Sequence, residues 1–74
     1  MTTLTKADKA NLINSRIKGL EYNKYSVDLD LIVENAKANP DADSVQVIEN
    51  AIAEIDTQIA ALNSELTAVN SLPE

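Results

Sequence analysis

Between Val45 and Val69 the large apolar residues fall at Val45, Ile48, Ile52, Ile55, Ile59, Leu62, Leu66 and Val69, and the steps run three, four, three, four without interruption. This spacing keeps one edge of an α-helix turned toward a partner helix. Its average period of about 3.5 residues favours a left-handed supercoil over packing onto a sheet. Such a seam has to be covered by another helix, but it specifies no chemistry of its own.

The cover must come from the rest of a 74-residue chain, read here as a single domain over residues 1–74, or from a second chain. At this size a lone core supplies roughly 3–5 kcal/mol unless a disulfide, a metal or another subunit assists. The chain has no cysteine and no histidine, which removes disulfides, thiolate metal sites and the commonest zinc ligand and general base. A second subunit is the staple that remains. With no Phe or Trp, one Gly and two Pro, and apolar residues that are mostly Ile, Leu, Val and Ala, the composition suits helices.

A first helical arm is expected to open at Thr5, whose hydroxyl can cap the N–H of Asp8 while the Asp8 carboxylate sits at the positive end of the helix dipole. Ala10, Ile13, Ile17 and Leu20 line one face, and the same frame continues through Lys24, Val27 and Leu31 toward Ala38. Gly19, preceded by Arg16 and Lys18, could instead cap a shorter helix, which leaves a three-helix arrangement with a break between Gly19 and Ser26 as the alternative. Residues Tyr25, Val27, Leu29, Leu31 and Val33 also alternate as in a strand, but a lone strand would find no partner in this chain. Read as helix, the segment carries a second stripe at Tyr22, Tyr25, Leu29, Ile32 and Ala36, which faces a different neighbour from the first. This stripe is the expected self-association surface, and it implies a homodimer forming a helical bundle.

Pro40 pushes Asn39 out of the helical region, and Asp43 with Gln46 has the spacing of a capping box. The expected fold is therefore all-α: an antiparallel helical hairpin with coiled-coil-like packing, its arms near residues 5–38 and 43–71 joined by a turn at 39–43. Charge agrees with this pairing. Residues 1–24 carry five basic and two acidic groups, 25–50 one and six, and 51–74 none and four, so the basic start of the first arm lies beside the acidic end of the second.

Several functions are disfavoured. The net charge of −6 and the scattered Lys6, Lys9, Arg16, Lys18 and Lys24 argue against nucleic-acid binding. No apolar run has the length of a signal peptide or a membrane span, so a cytoplasmic protein is expected, with no membrane partner. Asp28-x-Asp30 and Asp41-x-Asp43 faintly resemble the start of a calcium loop, yet neither is followed by the required Gly, and the twelfth position from Asp41 is Ile52 rather than Glu. The serines have no histidine to activate them, and no glycine-rich loop could cradle phosphate, so no catalytic residue, cofactor or metal ligand is assigned.

The stretches Leu4-Thr5-Lys6-Ala7-Asp8-Lys9, Asp28-Leu29-Asp30-Leu31-Ile32-Val33-Glu34-Asn35-Ala36 and Ala53-Glu54-Ile55-Asp56-Thr57-Gln58-Ile59-Ala60-Ala61-Leu62 give the chain a character that resembles small uncharacterised proteins of tailed phages, in particular T4-like phages of marine cyanobacteria. The resemblance implies a phage origin, hence the host cytoplasm, and no established activity or site residues. Two roles follow as expectations: a small acidic structural or interaction module that self-associates through amphipathic helices, or an acidic inhibitor or adaptor that docks on a basic host protein.

Overall fold

The computed structural model describes residues 3–73. Helix α1 spans Lys6–Asn35 and helix α2 spans Ala42–Asn70, and they pack against each other as a hairpin measuring 57 × 17 × 15 Å. No strand forms among the described residues.

The first helix starts where local chemistry places it. Thr5 Oγ1 accepts the N–H of Asp8 at 3.0 Å, and an Asp8 carboxylate oxygen accepts the N–H of Thr5 at 3.2 Å, so two backbone donors that the helix leaves unpaired are satisfied reciprocally. The helix then runs through Gly19 without a break, which excludes the three-helix alternative. No glycine has positive φ, so Gly19 serves as ordinary helical backbone instead of a cap.

The turn differs from the expectation in two details. First, α1 ends at Asn35, three residues short of Ala38. Pro40 disfavours helical backbone at Asn39, and the chain is drawn back earlier because Glu34 Oε2 accepts the N–H of Asp41 at 3.1 Å. Second, α2 is capped by Asp41 and not by Asp43. Asp41 Oδ1 accepts the N–H of Asp43 at 2.9 Å, whereas the Gln46 side chain donates to Asn50 Oδ1. Asp43 instead lies in the first helical turn, where its charge suits the positive end of the dipole.

The seam packs against the first stripe. Ile13, Ile17 and Val69 form a buried cluster against which Ala10, Ile59, Leu62 and Leu66 pack, and Ile55 is buried farther toward the turn. Val45, Ile48 and Ile52 are half-buried beyond it. Among the described residues no side chain is fully enclosed, as expected for two helices that cover each other on one edge only.

Candidate interaction surface

The frame that buries Ile13 and Ile17 places Lys24 and Glu34 on the same edge of α1, so two charged residues occupy positions facing α2. Both are provided for. Lys24 Nζ lies 2.7 Å from Asp56 Oδ1, an ion pair across the two helices. This hydrogen bond, and then the charge of Asp56, raise the lysine pKa above its ordinary value. Glu34, only 8% exposed, accepts hydrogen bonds from the Asp41 N–H and from Lys37 Nζ at 3.0 Å. The Asp41 N–H, followed by Lys37, holds its pKa below the usual glutamate range.

The opposite side of α1 has no such cover. Tyr22 is 69% exposed, Tyr25 63%, Leu29 43% and Ile32 62%, and Ala36 is exposed at the end of the row. At 3.6 residues per turn, this stripe points about 160° away from the edge that meets α2. Val33 and Val47, not singled out from sequence, are also exposed and line an open groove near the turn with Ile48, Asp30 and Lys37. Their signal was present in the heptad frame, since both sit just before an inward-facing position. A second groove runs beside Tyr22 and Tyr25, with Ile17, Lys18 and Glu21 on its walls.

Charge is concentrated in the same half of the molecule. Lys24 lies beside Asp56, so residues 21–55 form the half nearest the turn, and they carry two basic and eight acidic groups, equal to the whole net charge of −6. Residues 1–20 carry four basic groups and one acidic, and 56–74 carry three acidic and none basic, which leaves the far half neutral. The exposed apolar row therefore has an acidic surround.

Among the described residues, no group of three or more acidic side chains is arranged to hold a metal ion, and no helix is long and apolar enough to cross a membrane. Asp28 and Asp30 lie within α1, and Asp41 and Asp43 within the cap and first turn of α2. No family model matches the chain, and neither a curated protein nor a solved structure matches it.

Proposed function

We propose that this chain is a small structural or protein-interaction module that self-associates through the outer face of α1, with Tyr22, Tyr25, Leu29, Ile32 and Ala36 at the contact. The observation that carries this reading is the row of four large apolar side chains exposed together on the side of α1 that α2 cannot reach. Soluble monomers seldom leave such a row uncovered when the remaining core is small. The accessible surface points the same way: it is 5504 Å², against about 4,450 Å² for a compact protein of this mass. The excess is about 1,000 Å² per chain, or about 2,000 Å² for a pair, at the upper end of the standard range for specific interfaces counted over both partners. Sedimentation of the unmodified chain beside a Leu29→Lys, Ile32→Lys double variant tests the reading: the variant sediments as a monomer and the parent as a dimer.

The acidic surround favours a second reading, in which the same face receives a basic protein as an inhibitor or adaptor would. The two readings differ in salt dependence. Self-association brings like charges together and tightens as salt rises toward about 0.5 M, whereas docking of a cationic partner weakens. Titration with a Lys-rich amphipathic helical peptide at low and high salt measures the second directly.

A further inference from the structure

If the outer face of α1 meets a second copy, the distribution of charge along α1 decides how the two copies lie. We infer that the two α1 helices pair antiparallel across a two-fold axis near Val27, giving a four-helix layer in the order α2, α1, α1, α2. This inference rests on the self-association proposed above and adds its orientation.

The layer order follows from direction. The stripe points about 160° from the seam, so a partner seated on it lies on the far side of α1 from α2, and the two α2 helices stay outermost. The orientation follows from what borders the stripe. Lys18 is exposed and continues the same helical row one step before Tyr22. Past the other end, at Ala36, lie the last carbonyls of α1, whose final turn contains no basic residue, and the next residue, Lys37, is paired with Glu34.

Parallel pairing sets Lys18 beside the second copy's Lys18 and Glu21 beside Glu21. Antiparallel pairing about Val27 sets Tyr22 opposite Ile32 and Tyr25 opposite Leu29. It also brings Lys18 level with Ala36 of the other copy, at the negative end of that helix, and away from the second Lys18. The apolar contact is similar either way, and the charges discriminate.

The absence of cysteine allows single nitroxide labels at Ser15→Cys and, separately, at Ser26→Cys, both exposed in the hairpin and outside the stripe. Pulsed dipolar spectroscopy on each labelled dimer then reads the orientation. With a rise of 1.5 Å per residue, the antiparallel layer gives a distance under about 25 Å at position 26 and about 40 Å at position 15. Short distances at both positions establish a parallel dimer and overturn the orientation while leaving self-association intact. No dipolar signal at either position, with the unlabelled chain sedimenting as a monomer, removes the self-association reading and this inference with it.

Discussion

Glu34 Oε2 accepts the backbone N–H of Asp41 at 3.1 Å, so a side chain from the last turn of α1 holds the residue that caps α2. The carboxylate closes the hairpin at both ends of the connection, because Lys37 Nζ reaches its other oxygen at 3.0 Å.

These contacts make the fold sensitive to acid. Both hydrogen bonds favour ionised Glu34, and its pKa in the fold lies below the ordinary value. A carboxyl lowered on folding stabilises the fold above its unfolded pKa, and that contribution is lost as the pH falls through the folded value. Glu34→Gln should therefore lower Tm at pH 7, with the difference from the parent shrinking as the pH falls below about 4. Thermal melts followed by circular dichroism check this; equal Tm values at pH 7 would contradict the role given to Glu34.

Lys24 occupies a position between Leu20 and Val27 where the frame otherwise calls for an apolar side chain. Its pKa is raised by Asp56, so the stabilisation from that pair is present at neutral pH and lost as the pH rises beyond about 10.5. Because both partners remain partly exposed, solvent and salt screen the pair. Lys24→Leu should extend the buried row and raise Tm at pH 7, and a lower Tm would show that the ion pair outweighs the added packing.

Gly19 sits inside α1, and a Cβ built there meets nothing within 4 Å. Gly19→Ala should stabilise the hairpin by about 1 kcal/mol through reduced backbone entropy in the unfolded chain. An upward shift of the urea midpoint at unchanged slope is the expected result; a downward shift would mean that this part of α1 needs the freedom of glycine.

Ile55 and Ile59 belong to the seam, and Ile55 is one of four buried apolar residues among those described. Ile55→Ala should cost roughly 2–5 kcal/mol, comparable to the whole stability expected of so small a core, and Ile55→Lys or Ile59→Lys should unfold the chain. Loss of the helical far-UV signal is the readout, and a cooperative melt retained in the lysine variants would place the core elsewhere.

Much of this arrangement is legible in the sequence because it repeats. Eight seam residues in strict alternation of three and four steps leave one helical edge as the only way to gather them, and Thr5 with Asp8 marks the start of α1 by local hydrogen bonding alone. The cap of α2 is harder to place, since Asp41 and Asp43 are both competent. The choice depends on Glu34 drawing Asp41 toward α1, a contact seven residues apart in sequence. Glu34 itself was legible in principle: the frame through Val27 and Leu31 lands on it next. A carboxylate there signals a buried polar contact, whose partners only the folded turn supplies. Exposure of Tyr22, Tyr25, Leu29 and Ile32 follows from their angle to the seam, whereas the occupant of that face is not encoded in periodicity.

The mass of the unmodified chain in solution tests the central claim most directly. Multi-angle light scattering at about 100 μM should give twice the chain mass of 8.0 kDa, falling to the monomer value when Leu29 and Ile32 are both replaced by Lys. A mass of one chain for the unmodified protein at that concentration, in both low and high salt, would contradict self-association through α1.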